Sequence, residues 1–193
     1  HFDKFEIKSN LDKSKILNKS RLTPEKRRDA ENYDKIAMYV FDKDLNKLAY
    51  NIIKMPYTEL KMDNIDYHVD SEGKPYILAK VREDDSGKDT KGKGKNKEIN
   101  YHIELFKIDI ANKKTKITKI KLEDQFIKDI WLYEGADNSM VCSGFYNKKV
   151  AGNWTFFGRN INDADADGLF LFKLDKEGGI KDKKFYEFSN KKW

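Results

Sequence analysis

The sequence has little cysteine, little arginine and no long apolar run. These shortages argue against an internal disulfide, a specific nucleic-acid partner and a membrane-spanning helix, respectively. Its one cysteine, Cys142, cannot form a disulfide within the chain of 193 residues. The apolar neighbours Met140 and Val141 favour a small core residue over a nucleophile. No stretch approaches the ~20 consecutive apolar residues of a membrane-spanning helix. We therefore expect no transmembrane segment.

Arginine makes up a small part of the positive charge, although the net charge is +6. Lysine is a hydrated point charge, whereas arginine reads phosphates and bases through two parallel hydrogen bonds. The lysines alternate with aspartate and glutamate, which is typical of a solvated surface, so we expect no specific nucleic-acid partner. The most basic segment, residues 86–97, is a lysine and glycine run without aromatic residues, and it predicts a flexible surface linker. The five arginines are Arg21, Arg27, Arg28, Arg82 and Arg159.

Few segments show a helical period. The clearest, residues 23–30, begins with Thr23 as a potential N-cap and Pro24 at the first helical position, but it lacks an apolar stripe. It predicts either one short helical turn or a mobile loop. Elsewhere the chain alternates between apolar and polar residues, with Asp, Asn and Gly between the alternating stretches. That pattern predicts six β-hairpins.

The hairpins form a repeat of four strands. Phe5, Ile65 and Phe126 begin its three copies, about 60 residues apart. Each copy carries an insertion at the same point, between its two hairpins. The sequence therefore predicts an all-β chain with three four-stranded antiparallel blades of a β-propeller, with a β-sandwich as the alternative. The expected blades cover approximately residues 5–60, 61–125 and 126–190 of one all-β domain or domain fragment, 1–193.

Three blades bury only the faces that lie between them. We therefore expect the outer faces of the first and third blades to meet a protein partner or the remaining blades of a longer chain. Because the chain begins with His1 rather than Met, we also expect a processed or truncated start.

Residues 36–48, 69–79 and 143–146 resemble a family of lysine-rich, uncharacterised β-propeller proteins exported by Bacteroidetes-type bacteria. The likeness runs from about Phe5 to Phe188. It implies a propeller and an exported location, in the periplasm or at the outer membrane, with peripheral association with the cell envelope. A cytoplasmic location is the alternative. The resemblance defines no catalytic residue.

A row of three aspartates, Asp163, Asp165 and Asp167, precedes Gly168. Carboxylates at alternate positions before a glycine can wrap Ca²⁺, because the glycine permits the sharp turn that points their oxygens inward. The closing acid that such loops use is absent. Calcium is thus the one cofactor that the sequence suggests, and an acidic turn before a strand is the favoured interpretation.

His68 stands between Asp66 and Asp70 on one expected strand, with all three on the same face. Such a histidine can bind a metal or act as a base. His102, two residues before Glu104, is placed similarly. The favoured interpretation for both histidines is a half-exposed side chain in surface charge pairs.

Trp154, Phe156 and Phe157 lie in an expected loop of the third blade. Exposed aromatic residues there would form a binding patch for protein or sugar, and the favoured interpretation is that they form an extra strand or fold back onto the blade. We assign no catalytic residues. The sequence favours a non-catalytic protein-interaction scaffold over two alternatives, a hydrolase or lyase with its site at the central channel and a carbohydrate-binding module.

Overall fold

The computed structural model describes residues 2–22, 32–92, 98–122, 125–148 and 166–189, and every element in these ranges is a β-strand. None of the described segments is a helix that could cross a membrane. Sheet 1 consists of β1 (Phe2–Ser9), β2 (Lys15–Leu22), β3 (Tyr33–Asp42) and β4 (Lys47–Thr58). Sheet 2 consists of β5 (Met62–Val69), β6 (Pro75–Arg82), β9 (Tyr101–Asp109) and β10 (Lys114–Ile120). Sheet 3 consists of β11 (Gln125–Glu134), β12 (Met140–Lys148), β13 (Gly168–Leu174) and β14 (Ile180–Glu187).

Each sheet is an antiparallel meander, in which every strand pairs with the next of its own copy. The sheets stack face to face in chain order. The first strand of each sheet, namely β1, β5 or β11, is here called its inner strand, and β5 contacts both β1 and β11. This arrangement confirms three four-stranded propeller-like blades. The β-sandwich alternative is wrong, because in a sandwich strands from different copies would share the same two sheets.

Two apolar clusters hold the stack together, one on each side of sheet 2. Between sheets 1 and 2 lie Leu17, Ile36, Met38, Val40, Ile53, Met55, Met62, Tyr67, Val69, Ile77, Ala79, Val81, Phe106, Ile108 and Ile110. Between sheets 2 and 3 lie Tyr76, Leu78, Ile103, Leu105, Ile120, Leu122, Ile130, Leu132, Met140, Cys142, Tyr146, Phe170, Phe172 and Leu174. Strand β6 is therefore buried on both faces, which explains why its sequence is an almost continuous apolar run.

Aspartates fix several of the hairpin turns. In the turn after β3, the Asp42 carboxylate accepts the backbone N–H groups of Asp44 and Asn46, each at 2.9 Å. Asp175 does the same for Glu177 and Gly179 in the turn after β13, each at 2.8 Å. The side-chain amide of Asn46, which donates to Asp42 at 3.0 Å, is the main cause that lowers the pKa of Asp42, and the backbone N–H groups lower it further. The backbone N–H of Gly179 is the main cause that lowers the pKa of Asp175. The turn aspartates therefore serve the fold.

The segment between the hairpins of sheet 2, whose composition predicts a flexible linker over residues 86–97, contains strands in its described part, while residues 93–97 lie outside the described residues. Its ends pair as a short two-stranded ribbon of β7 (Thr90–Lys91) and β8 (Glu98–Ile99). Asn100, which is fully buried, anchors the ribbon by donating to the Asp84 carboxylate and to the Lys88 carbonyl, each at 2.9 Å. The helical turn expected over residues 23–30 lies outside the described residues.

Candidate functional site

The inner strands meet at the carboxylate of Asp66 on β5, whose side chain is 14% exposed. Its Oδ1 accepts the Lys8 ammonium of sheet 1 at 2.6 Å and the backbone N–H of Tyr67 at 2.8 Å. Its Oδ2 accepts the backbone N–H of Leu132 of sheet 3 at 2.9 Å. Asp66 thereby joins all three sheets, and both of its oxygens are occupied.

A second carboxylate joins the sheets where the inner hairpins turn. Glu134, at the end of β11, is buried. Its Oε2 accepts the backbone N–H of Leu11, in the first turn of sheet 1, at 2.6 Å. Its Oε1 accepts the backbone N–H of Ser71, in the first turn of sheet 2, at 3.1 Å. Nothing in the sequence singled out Glu134, because both of its partners are backbone groups brought near only by the stacking of the sheets.

The expectation that His68 is half-exposed is wrong. The side chain is buried at 7% exposure, and its Nδ1 lies 2.9 Å from the backbone nitrogen of Val69. The expected alternation holds from Asp66 to Val69, with Tyr67 and Val69 packed toward sheet 1, but a β-bulge between Asn64 and Asp66 interrupts it and Ile65 is exposed. Burial lowers the pKa of His68, since the charged imidazolium loses its hydration.

The lowered pKa of His68 predicts a pH-dependent stability. Above the folded pKa and below the unfolded value of about 6.5, the unfolded chain binds more protons, so the free energy of unfolding falls as the pH falls through this window. We expect the free energy of unfolding, measured with urea between about pH 5 and pH 8, to depend less on pH in His68→Gln than in the wild type. His102→Gln is the control that removes a partly exposed histidine, and equal slopes in the wild type and His68→Gln would contradict the assignment.

His102 lies between two acidic residues, as the sequence suggested, but its side chain is only 16% exposed rather than half-exposed. Its Nδ1 lies 2.7 Å from a Glu83 oxygen and its Nε2 lies 2.8 Å from a Glu104 oxygen. The buried Glu104 also accepts the Tyr57 hydroxyl of sheet 1 at 3.1 Å. Burial, together with this hydrogen bond, raises the pKa of Tyr57 to about 12. The cluster therefore ties sheet 2 to sheet 1.

Two polar clefts flank the bulge of β5. One, of about 450 Å³, opens between sheets 1 and 2, and the other, of about 350 Å³, opens between sheets 2 and 3. Charged side chains at both clefts form ion pairs. The Lys19 ammonium lies 2.8 Å from the Glu6 carboxylate in the first cleft, and the Lys80 ammonium lies 2.6 Å from the Asp89 carboxylate beside the second. Within the ranges that the structure describes, no group of three or more His, Cys, Asp or Glu residues is arranged to hold a metal ion.

Most of the residues that the sequence proposed for binding lie outside the described residues. This holds for Asp163 and Asp165 of the acidic row, and for the aromatic residues Trp154, Phe156 and Phe157. Asp167 is described, and its backbone N–H donates to the Tyr146 carbonyl at 2.9 Å as β13 begins. The calcium site and the aromatic patch stay predictions.

Cys142 is a core residue. Its side chain is fully buried on β12 in the cluster between sheets 2 and 3. Burial raises the pKa of the thiol to about 12, because the thiolate would have no hydration there. The thiol is therefore protonated at neutral pH, as expected for a structural cysteine.

The face of sheet 3 that points away from sheet 2, here called the outer face of sheet 3, is apolar and exposed. Trp131 is 46% exposed and Tyr186 is 51% exposed. The Trp131 and Phe145 rings lie edge to face with their centroids 6.0 Å apart. The strand register places on this face the apolar and aromatic residues Trp131, Tyr133, Val141, Phe145, Leu169, Leu171 and Tyr186, together with Ser143, Lys173, Asp182 and Lys184.

The face of sheet 1 that points away from sheet 2, here called the outer face of sheet 1, has the same character. Phe5 is 67% exposed and Ile7 is 68% exposed. The Tyr39 and Tyr50 rings stack with their centroids 4.1 Å apart. The register places on this face Phe5, Ile7, Ile16, Tyr39, Phe41, Tyr50 and Ile52.

Comparisons with known proteins add little. No family model and no curated protein matches the chain. Among solved structures, a levansucrase mutant from Bacillus subtilis is 10% identical over 87% of this chain, with a TM-score of 0.38, and this chain spans 51% of its length. A protein of unknown function from Dyadobacter fermentans is 9% identical over 95% of this chain and 68% of its own, with a TM-score of 0.30. A protein of unknown function from Bacteroides caccae is 12% identical over 94% of this chain and 82% of its own, with a TM-score of 0.23.

Proposed function

We propose that the protein is a non-catalytic interaction scaffold that binds protein through the outer faces of sheets 1 and 3. The observation that carries this proposal is the pair of contiguous, exposed apolar faces at the two ends of the stack. Scattered apolar residues are normal on a protein surface, whereas a contiguous patch rimmed by charge marks an interaction site. The abundant lysine, aspartate and glutamate elsewhere keep the rest of the surface hydrated.

The middle strands support the same function. In β13, Phe170 and Phe172 pack toward sheet 2, while Leu169 and Leu171 point to the outer face. A strand that is apolar on both faces is typical of a sheet covered on both sides. The buried strand β6 shows that pattern with both sides covered. We infer that sheet 3 is built to be covered as sheet 2 is.

An enzyme with its site at the central channel has less support. General acid–base chemistry needs a titratable side chain, such as a carboxylate, that is free to exchange a proton with a substrate. Asp66 and Glu134 each use both oxygens to hold the three sheets together. A carbohydrate-binding module would depend on the region around Trp154, and it stays an alternative prediction. The resemblance of residues 36–48 and 69–79 to exported propeller proteins supports a scaffold that works at the cell envelope.

Site-specific photo-cross-linking in the cells that make the protein tests the proposal. A photoreactive phenylalanine derivative is placed at Tyr50 on the outer face of sheet 1, or at Tyr133 on the outer face of sheet 3. The control position is Ile117 on β10 of sheet 2, which is exposed at 42%, against 41% for Tyr50 and 39% for Tyr133. We expect discrete protein adducts from the two face positions and few from Ile117, with mass spectrometry identifying the partner. Equal adduct patterns at all three positions, or none, would contradict the scaffold.

A further inference from the structure

We propose that the rim of the stack is a docking surface for a membrane that carries anionic lipids. The rim consists of the last strand of each sheet, namely β4, β10 and β14, which lie at the sheet edge opposite the inner strands. This proposal goes beyond the proposed function, because it concerns the edges of the sheets and not the outer faces of sheets 1 and 3. The edges point away from the inner strands whatever covers those outer faces.

The rim carries the excess positive charge of the chain. Its three strands contain eight lysines and two acidic residues, a net charge of +6, which equals the net charge of the whole chain. The three inner strands contain three lysines and six acidic residues, a net charge of −3 with histidine neutral. Charge is therefore separated across the sheets, and the rim is electropositive. The rim lysines are Lys47, Lys54, Lys114, Lys116, Lys119, Lys181, Lys183 and Lys184.

The rim lysines are available to an external anion. All eight are exposed. Among the residues that the structure describes, the one ion pair of a rim lysine joins Lys116 to the Glu177 carboxylate, at the long distance of 4.0 Å. On the inner strand β1, by contrast, the Lys8 ammonium lies 2.6 Å from the Asp66 carboxylate. The positive charge at the rim is thus largely uncompensated, whereas lysine at the inner strands holds the sheets together.

Hydrogen bonds between neighbouring sheets make the rim one surface. The side-chain amide of Asn51 on β4 donates to the carbonyl of Ile110, in the turn before β10, at 3.1 Å. The hydroxyl of Thr118 on β10 donates to the carbonyl of Gly178, in the turn before β14, at 2.8 Å. The middle strand β10 is therefore tied to both of its neighbours. A flat anionic surface that meets two neighbouring rim strands must meet β10.

Protection of the sheet edges does not account for this charge. Lysines on an edge strand hinder its pairing with another sheet, but glutamate can serve that purpose as well. Edge protection alone would not concentrate the net positive charge of the whole chain on three strands. The single sign of the charge therefore indicates a partner of opposite sign.

The apolar side chains among the rim lysines favour a membrane over a nucleic acid. Ile117 on β10 and Phe185 on β14 are each 42% exposed, and Leu48 on β4 is 51% exposed. Such side chains gain free energy by entering the headgroup region of a bilayer while neighbouring lysines meet anionic headgroups. They gain little from the phosphates of a duplex. The rim also contains no arginine, the residue that binds phosphates through paired hydrogen bonds.

Co-sedimentation of the purified chain with lipid vesicles tests the proposal. We expect the chain to bind vesicles that mix phosphatidylglycerol with phosphatidylcholine, and high salt to release it. Binding to vesicles of phosphatidylcholine alone should be at least about 30-fold weaker. The triple variant Lys114→Gln, Lys116→Gln, Lys119→Gln should also bind the anionic vesicles at least about 30-fold more weakly, because each lysine near an anionic bilayer contributes roughly five-fold.

A second triple variant makes the test specific to the rim. Lys13→Gln, Lys43→Gln, Lys88→Gln removes the same charge from three exposed lysines outside the rim strands, and it should bind within about threefold of the wild type. Ile117→Ser changes no charge, and we expect it to weaken vesicle binding about threefold or more through the lost apolar contact. Circular dichroism and thermal melting establish that each variant is folded.

Equal binding to the two kinds of vesicle, or binding to neither, would overturn the membrane docking surface. Equal losses in the two triple variants would overturn it as well, because binding would then follow net charge and not the rim. Tighter binding to double-stranded DNA than to the anionic vesicles would assign the rim to nucleic acid instead. Photo-cross-linking from Tyr50 and Tyr133 reports on the protein partner separately, so either proposal can fail while the other stands.

Discussion

Replacing Glu134 with alanine should lower the free energy of unfolding by about 3 kcal/mol. For a chain of this size, that loss corresponds to a fall in melting temperature of roughly 6–12 °C. The magnitude follows from two hydrogen bonds to one carboxylate, at 2.6 Å from Leu11 and 3.1 Å from Ser71. Hydrogen bonds to a charged group are stronger than neutral ones, and here they are partly shielded from water.

The position of Glu134 makes the loss larger than its two bonds alone suggest. Leu11 and Ser71 lie in the first turns of sheets 1 and 2, and Glu134 ends the first strand of sheet 3. Removing the carboxylate leaves two backbone N–H groups without their acceptor at the point where three sheets meet. We therefore expect the contacts between sheets to weaken together, with little change inside any one sheet.

Two further variants make the Glu134 prediction specific. Glu134→Gln keeps one acceptor oxygen and removes the charge, so its free energy of unfolding should lie between that of the wild type and that of Glu134→Ala. Glu177→Ala removes a glutamate whose side chain is 80% exposed, and it should change the unfolding free energy little. Urea unfolding followed by circular dichroism measures all three. A Glu134→Ala variant as stable as Glu177→Ala would show that the carboxylate does not hold the sheets.

Local sequence signals predicted much of the fold. The turn residues Asp42 and Asp175 act through atoms close in sequence, since each carboxylate accepts N–H groups two and four residues further on. Such signals need no knowledge of the stacking, which is why the hairpins and the four-strand repeat could be predicted. The apolar content of both faces of β6 is likewise visible in the sequence.

The polar residues between the sheets could not be predicted in the same way. His68 alternates with Tyr67 and Val69, which pack toward sheet 1, and whether it is buried depends on β11 of sheet 3, which contacts β5. The role of Glu134 depends on two turns that lie 123 and 63 residues away along the chain. No period or spacing in the sequence encodes these distances, because they arise only once the sheets stack.

The outer faces fall between these two cases. The sequence predicted that the outer faces of the first and third blades would meet a protein partner or the remaining blades of a longer chain, since three blades bury only the faces between them. The residues on those faces follow from strand register, which a bulge between Ile127 and Asp129 alters in sheet 3. The alternation of Leu169, Phe170, Leu171 and Phe172 was the available signal for a sheet that is apolar on both sides.

Among the glycines that the structure describes, Gly144 on β12, opposite the bulge in β11, has the least room for a side chain, and Gly144→Ala should cost about 3 kcal/mol or more of stability. Strand β12 passes so close to the bulge that a Cβ at Gly144 would lie 2.0 Å from the Asp129 carbonyl oxygen and 2.7 Å from the Phe170 ring. Neither neighbour can retreat cheaply, because the carbonyl belongs to the backbone of the paired strand and Phe170 is fully buried between sheets 2 and 3.

Gly135→Ala is the matched control for Gly144→Ala. Its added Cβ would approach the Asp137 carboxylate at 3.2 Å and the Ser139 hydroxyl at 3.3 Å, and both are movable side chains in an exposed turn. We expect it to cost less than about 1 kcal/mol. Urea unfolding measures both variants, and the near-ultraviolet circular dichroism of Trp131, on the bulged strand, should change only in Gly144→Ala. Equal stabilities would mean that β11 and β12 separate at little cost, and the close approach at the bulge would then not be what fixes the inner edge of sheet 3.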